Sequence, residues 1–353
     1  MNLTNRMELF ETPYLTVDVD RLEQNIYRLQ AYLDENGIAN RPHIKTHKIP
    51  AIAKMQLAAG AVGITCQKIS EAEVMANAGI EDIFLPYNIL GQKKLKRLMA
   101  LAERTKISVT ADSSVVADGL SRAAIEADLF LSVLVECDLG YGRCGVQSPT
   151  AAAELARYIS SLPNLHFRGL MTYPNSENLD AFVQTTQMLL KPDPIRIDIV
   201  SGGGSACMWQ THTLSEITEH RAGMYIFGDR NLLNAKVMTL DDIALGVKTT
   251  VVSRPTLDRA ILDCGSKTLS SDTMGLEGFG YLREYPNAHL YNLSEEHGFL
   301  DLSACDRKPE LGEQVTVIPN HCCPVVNLAD ELVGTRKNQF TEKWHVAARG
   351  KVV

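Results

Sequence analysis

One cadence constrains this chain more than any single motif. Short apolar runs able to form strands recur at 42–45, 63–66, 82–86, 106–110, 129–136, 166–172, 195–201 and 220–226. Helical stretches lie between them, among them 70–78, 92–103, 150–160 and 178–190. Strands that alternate with helices at this spacing pair in parallel through crossover helices, and eight such units close into a barrel. Residues 21–243 are therefore predicted to form an α/β domain, a (β/α)8 TIM barrel. An open doubly wound sheet has the same local pattern with fewer units and is the alternative. Upstream, residues 13–18 alternate as a strand, and Asp18 or Asp20 then opens an amphipathic helix with Leu22, Ile26, Leu29 and Leu33 on one face.

After Asp242 the period changes. Runs at 244–252, 259–264, 288–292, 314–318 and 344–347 are β-branched or alternating, so residues 1–20 and 244–353 are predicted to make a separate β domain. A chain of 353 residues has room for both. With 45% apolar and 22% charged residues and a net charge of -7, it carries no footprint for nucleic acid, and its partners are expected to be small molecules. The N-terminal stretch lacks the apolar core of a signal peptide, and no apolar run is long enough to cross a bilayer, so a cytoplasmic protein with no membrane partner is expected. Eight cysteines in a chain this long are not a disulfide framework, and only Cys322 and Cys323 cluster, beside His321.

Chemistry in such barrels gathers at the C-terminal ends of strands. Those ends carry Lys45 and His47, Gln67, Tyr87 and Asn88, Asp138 and Arg143, Tyr173, the SGGGS run at 201–205, and Tyr225. Lys45 stands between two histidines in RPHIKTHK, and a lysine that forms an imine needs a partly desolvated, cation-rich setting of this kind. Taken alone, most lysines after a proline are solvated surface groups. Gly202, Gly203 and Gly204 remove each Cβ that would hold a phosphate away from the backbone, and phosphate sites in barrels favour the loops after strands seven and eight. A tight turn explains a bare triple glycine as well. A nicotinamide fingerprint is excluded, because Cys207 occupies the place of the third glycine.

With its lysine after the first strand and a glycine cradle after the seventh, the sequence resembles the fold-type III, alanine racemase-like enzymes that use pyridoxal 5'-phosphate. The segments that carry the resemblance are TPYLTVDVDRLEQNI, RPHIKTHK and DLGYGRCGV. It implies Lys45 for the imine, Arg143 facing the pyridine nitrogen, Gly203, Gly204 and Tyr225 for the phosphate, and Tyr173 close to the ring. It also implies a homodimer, in which the β domain of one chain closes the barrel mouth of the other. A permanently charged guanidinium at the ring nitrogen weakens the ring as an electron sink, so a helper group is expected near the substrate.

That helper is sought in PNHCCPVVNL, residues 319–328. In an extended segment His321 and Cys323 leave the same face and can share a cation, for which Zn²⁺ suits an imidazole and a thiolate best and Mn²⁺ is the alternative. Alone, an HxC pair is more often a buried cysteine beside a capped histidine. The segment, however, resembles the metal motif of the D-serine dehydratase and D-threonine aldolase branch, as do GSKTLSSD at 265–272 and SEEHG at 294–298, where Asp272 and His297 take no assigned role. The resemblance thus implies a pyridoxal-phosphate- and metal-dependent lyase acting on β-hydroxy-D-amino acids, with Lys45, His321 and Cys323 catalytic. Aldolases of the branch usually place an aspartate where Cys323 stands and a histidine soon after the strand-six tyrosine, where 174–187 has none. Both departures favour dehydration and deamination of the D-serine type, to an oxoacid and ammonia. The alternatives are retro-aldol cleavage to glycine and an aldehyde, amino-acid racemisation, and non-catalytic carriage of the cofactor. No motif encodes the β-substituent of the substrate.

Overall fold

The computed structural model describes residues 10–353. Its strands are β1 (Tyr14–Asp18), β2 (Ala39–Asn40), β3 (Ile64–Thr65), β4 (Asp82–Leu85), β5 (Lys106–Ala111), β6 (Leu131–Cys137), β7 (Leu165–Thr172), β8 (Ile199–Gly203), β9 (Glu219–Arg221), β10 (Leu245–Thr256), β11 (Arg259–Leu262), β12 (Gly280–Leu282), β13 (His289–Leu293), β14 (Gly298–Asp301), β15 (Gln314–Pro319), β16 (Glu331–Arg336) and β17 (Gln339–His345). The helices are α1 (Val19–Glu35), α2 (Pro50–Ala58), α3 (Ile69–Asn77), α4 (Gln92–Ala102), α5 (Ser114–Glu126), α6 (Pro149–Ser161), α7 (Leu179–Leu190), α8 (Arg230–Asn234), α9 (Ser266–Leu269) and α10 (Cys322–Leu328). Two compact units result: Arg28–Lys45, Ile52–Gly223 and Lys351–Val353 make one, and, of the described residues, 10–27, Thr46–Ala51 and Met224–Gly350 the other. The chain passes from one to the other between Lys45 and Thr46. Residues 1–9 of the expected β domain, and the start of the N-terminal stretch, lie outside the described residues. Among the described residues no helix is long and apolar enough to cross a membrane.

In the first unit eight parallel strands run in the order β2-β9-β8-β7-β6-β5-β4-β3, and a parallel bridge from His43 to Thr65 joins the two ends of the path. This is the barrel that the cadence predicts, with its strands covered by the crossover helices. Both faces of such strands are buried, which is why β6 reads LSVLVEC rather than alternating. Phe84, Leu134 and Met171, with Ile199, pack together from four different strands. In β7 the register against β6 shifts at Gly169, whose φ is +149°. A Cβ there would lie 1.9 Å from the Ile199 carbonyl oxygen, so only glycine lets β8 approach.

Three strands differ from their expected bounds by more than two residues, and one of them, β8, runs Ile199–Gly203 rather than 195–201. The first is Ala39–Asn40 rather than 42–45, because Pro42 has no N–H to donate and the chain then winds into a 3₁₀ turn, Ile44–Thr46. The last is Glu219–Arg221 rather than 220–226, and a second 3₁₀ turn, Met224–Ile226, follows it.

The second unit is mostly sheet. Its nine strands run β13-β14-β11-β10-β1-β16-β17, and β15 pairs with both β10 and β12. β1 is central, antiparallel to β10 and parallel to β16, so the first described strand of the chain pairs with strands from its last third. The expected runs correspond to β10, β11, β13, β15 and the end of β17. β12, β14 and β16 carry no equally clear alternation.

Candidate functional site

The barrel unit assembles one cluster from three separate segments. Lys45 lies in the 3₁₀ turn after β2, and its Nζ is 5.8 Å from the centre of the Tyr173 ring. Its backbone N–H donates to His43 Nδ1 at 3.4 Å, while His43 Nε2 and Gln67 Oε1 are 3.0 Å apart. Arg143 approaches the same Tyr173 ring, its Cζ 4.9 Å from the centroid. Lys45, Tyr173 and Arg143 therefore share one end of the barrel.

Arg143 is carried by a loop whose shape the sequence builds locally. The carboxylate of Asp138 accepts the N–H groups of Gly140, Tyr141 and Gly142 at 2.8 to 3.1 Å, and those bonds, Gly142 foremost, hold its carboxyl below the usual range. Glu136, buried near the end of β6, stands 3.7 Å from the Arg143 guanidinium. Burial raises the Glu136 carboxyl above its ordinary value in spite of that cation. Glu136 has no sequence signal beyond a lone charge within an apolar strand.

The triple glycine is not a loop. Gly202 and Gly203 belong to β8 and only Gly204, at φ +124°, leaves it. A Cβ on Gly203 would meet the Arg221 carbonyl oxygen at 2.1 Å, and Gly204 N–H donates to that same oxygen at 2.9 Å. These glycines thus provide close approach rather than a row of free donors. Donors come instead from the 3₁₀ helix Ser205–Thr213, whose first N–H groups have no partner inside the helix. Beside Gly202, both side-chain polar atoms of Asn175 are buried without a hydrogen-bond partner among the described residues. Two features here suit a phosphate: a helix start, and a buried amide without a partner among the described residues. Tyr225 belongs to the other unit, in the turn Met224–Ile226, and is 1% exposed.

That other unit holds the second cluster. His321 Nδ1 is 2.7 Å from Asp272 Oδ2, and Cys323 Sγ is 3.3 Å from the hydroxyl of Thr46, the residue that follows Lys45. Burial alone would lower His321, but the hydrogen bond and charge of Cys323, followed by Asp272 and Asp229, hold it up at about 9. The two side chains therefore meet, though not in the extended segment expected. His321 is the N-cap of α10 and Cys323 lies in its first turn. The helix starts there because buried Asp229 accepts Cys322 N–H at 3.0 Å and Pro324 needs no donor in a first turn. Asp229 also caps α8 through Leu232 N–H, and burial raises its carboxyl to about 6.

A carboxylate on Nδ1 orients the His321 ring and leaves Nε2 as the nitrogen able to take a cation, the arrangement usual for metal-bound histidine. Imidazole and thiolate together are a donor set suited to Zn²⁺. Among the described residues no group of three or more His, Cys, Asp or Glu side chains is placed to hold a metal ion. His321 and Cys323 can thus supply two ligands and leave the remaining positions open. Asp272 and Asp229 acquire contacts here that no spacing rule announced.

Residues 17–231 match the family described as alanine racemase, N-terminal domain, and residues 244–335 match a putative serine dehydratase domain. The D-threonine aldolase of an Arthrobacter species is 35% identical, covering 96% of this chain and 93% of that protein. The D-threo-3-hydroxyaspartate dehydratase of a Delftia strain is 28% identical, covering 89% and 91%. The D-threonine aldolase structure from Filomicrobium marinum superposes with a TM-score of 0.89 at 30% identity over 97% of each chain. A cysteine-to-alanine variant of a D-threo-3-hydroxyaspartate dehydratase, in the metal-free form, superposes with a TM-score of 0.82 at 26% identity, covering 95% of this chain and 97% of that one. The substituted cysteine lies two positions after a histidine that was also changed to alanine in that dehydratase.

Proposed function

Because the chain belongs to the alanine racemase-like family of fold-type III pyridoxal-phosphate enzymes, we propose that it is a metal-dependent lyase that dehydrates and deaminates β-hydroxy-D-amino acids. The observation that carries this is the meeting of His321 and Cys323, oriented by Asp272, at the same two-residue spacing as the histidine and cysteine varied in the dehydratase. When bound, pyridoxal phosphate supplies an electron sink for bonds broken at the substrate Cα, and a divalent metal, Zn²⁺ or Mn²⁺, supplies a Lewis acid for the β-oxygen.

The chain's own residues do the rest. Lys45 carries the cofactor and takes the proton from Cα. Arg143, with its loop held by Asp138, would face the ring nitrogen, and Tyr173, whose ring lies near both Arg143 and Lys45, would lie close to the cofactor ring. Gly203 and Gly204 let β8 end close against Arg221, next to the helix start and the Asn175 amide that would take the phosphate. His321 and Cys323 hold the metal, and Asp272 fixes the imidazole tautomer. Thr46 Oγ1, at 3.3 Å from Cys323 Sγ, supports the thiolate. The enzyme is expected to act as a homodimer in the cytoplasm.

Aldol cleavage is the second reading, favoured by the higher identity to the Arthrobacter aldolase. Incubation of the cofactor- and metal-loaded protein with D-serine, D-threonine and D-threo-3-hydroxyaspartate separates the possibilities. Equal amounts of oxoacid and ammonia are expected. Glycine plus aldehyde would make it an aldolase, the L-isomer a racemase, and bound cofactor with no amino acid consumed a carrier protein.

A further inference from the structure

Both histidines that flank Lys45 act on the backbone. The N–H of Lys45 donates to His43 Nδ1 at 3.4 Å, and the N–H of Ile49 donates to His47 Nδ1 at 3.0 Å. Each ring caps the amide two residues downstream, as Asn and Asp side chains do in turns. RPHIKTHK is thus built from two capped turns, and Lys45 sits in the 3₁₀ turn, Ile44–Thr46, that His43 opens.

A peptide N–H can only donate, so His43 Nδ1 is an acceptor and the ring carries its proton on Nε2. Nε2 lies 3.0 Å from Gln67 Oε1, so the ring N–H donates to the amide oxygen. Gln67 is itself held in that orientation. Its side-chain nitrogen donates to the Pro86 carbonyl at 3.5 Å, and its backbone N–H, with that of Lys68, donates to Glu71 Oε2 at 2.8 and 3.1 Å. Glu71 is buried in the first turn of α3, and His43 is buried too, its own N–H bonded to the Ala222 carbonyl at 2.8 Å. Donation therefore runs in one direction, from Lys45 to His43 to Gln67 to Pro86, across the segments that follow β2, β3 and β4. Hydrogen bonds aligned in this way polarise one another.

We propose that Gln67 is a positioning residue for Lys45: by accepting from His43 Nε2 it fixes the tautomer whose Nδ1 caps the Lys45 amide, and so holds the turn from which the lysine side chain reaches Tyr173. Gln67 acts through the imidazole, as an oxygen of fixed orientation. The inference rests on the reading of Lys45 as the lysine that carries the cofactor.

Imidazole nitrogen resonances of the chain with isotope-labelled histidine read the tautomer, and the pair lost in His43→Asn identifies His43. A protonated Nε2 and a bare Nδ1 are expected, and a protonated Nδ1 in the wild type overturns the proposal. Stopped-flow absorbance on mixing the apo form with pyridoxal phosphate reads the condensation of the Lys45 amine with the cofactor aldehyde, in which a C=N bond forms and one water leaves. Gln67→Leu removes the acceptor, and Gln67→Glu favours an imidazolium whose Nδ1–H cannot cap. Each should slow the condensation and raise the dissociation constant about fivefold, the size of one ordinary hydrogen bond. His43→Asn keeps a side-chain oxygen as the cap and should stay within about twofold of wild type. In that background Gln67→Leu should have no further effect, because the ring through which Gln67 acts is gone. A packing role for Gln67 gives the same loss in both backgrounds. That outcome, or folded Gln67 variants with wild-type rate and affinity, overturns the proposal. Should Gln67→Leu fail to fold, Gln67→Glu, which keeps the side-chain size, carries the test. A wild type that forms no cofactor bond, or forms it on another lysine, overturns the functional reading itself, whereas failure of the relay alone shows as a normal wild-type reaction with unaffected variants.

Discussion

Adding one methyl group at Gly203 should damage both the barrel and its cofactor site. The new Cβ would stand 2.1 Å from the Arg221 carbonyl oxygen, 2.9 Å from its carbonyl carbon and 3.1 Å from its Cβ. A carbon–oxygen contact is ordinarily roughly 3.3 Å, so β8 and β9 must part by about 1 Å. Two of these three atoms are backbone, and no rotamer change relieves the clash. Overpacking of this kind costs about 1–3 kcal/mol, and straining the neighbouring bond from Gly204 N–H to the Arg221 oxygen adds about 1 kcal/mol. Gly203→Ala should therefore lose about 2–4 kcal/mol. Gly119→Ala is the matched control. It lies inside α5 with only Leu95 Cδ1 near, at 3.6 Å, and should gain about 0.5–1 kcal/mol from the better helix former. Urea denaturation of the apo forms followed by circular dichroism reads the difference, and titration with pyridoxal phosphate should show weaker binding for Gly203→Ala alone. Equal midpoints for the two variants would refute the geometry on which the cradle rests.

Four further outcomes are expected. Borohydride should reduce a cofactor bond at Lys45, Lys45→Ala should abolish turnover, and an adduct on another lysine would overturn the assignment. A chelator should remove activity without bleaching the bound cofactor, added Zn²⁺ should restore it, and Cys323→Ala should bind cofactor but lose metal and orders of magnitude in rate, as withdrawal of several kcal/mol of Lewis-acid assistance requires; full rate in the chelated variant sinks the metal role. Glu136 is raised by burial, against the pull of Arg143, so it binds its proton more tightly folded than unfolded and weakens the fold as pH climbs from its unfolded pKa through the higher folded one. The stability of Glu136→Gln relative to wild type should accordingly improve as pH rises above about 4, and a flat or opposite trend in melting temperature would contradict this. Sedimentation at micromolar concentration should give a dimer, and a fully active monomer would not be compatible with a barrel mouth closed by a second chain.

How far the sequence reached can be followed residue by residue. Period fixes local structure, and period is local: LSVLVEC announces a strand buried on both faces, and Leu22, Ile26, Leu29 and Leu33 a helix with one buried face, whatever surrounds them. Repeated eight times, that information leaves little but a barrel, and a barrel places Lys45, Arg143 and Tyr173 at one end because strand ends are where the period stops. What tertiary structure alone decided are the contacts across large separations in the chain. Asp272 reaches His321 over 49 residues, Asp229 caps Cys322 over 93, and Arg41 meets Glu219 over 178. The HxC pair looked extended because spacing cannot see that an aspartate from another segment will start a helix there. The triple glycine looked like a phosphate loop, yet two of its residues are strand, and their lack of a Cβ serves the approach of Arg221. A buried charge such as Arg221 or Glu136 has no periodicity to betray it. Its cost in a low-dielectric interior is met by partners from other strands, so its place became visible only once the barrel had brought those strands together.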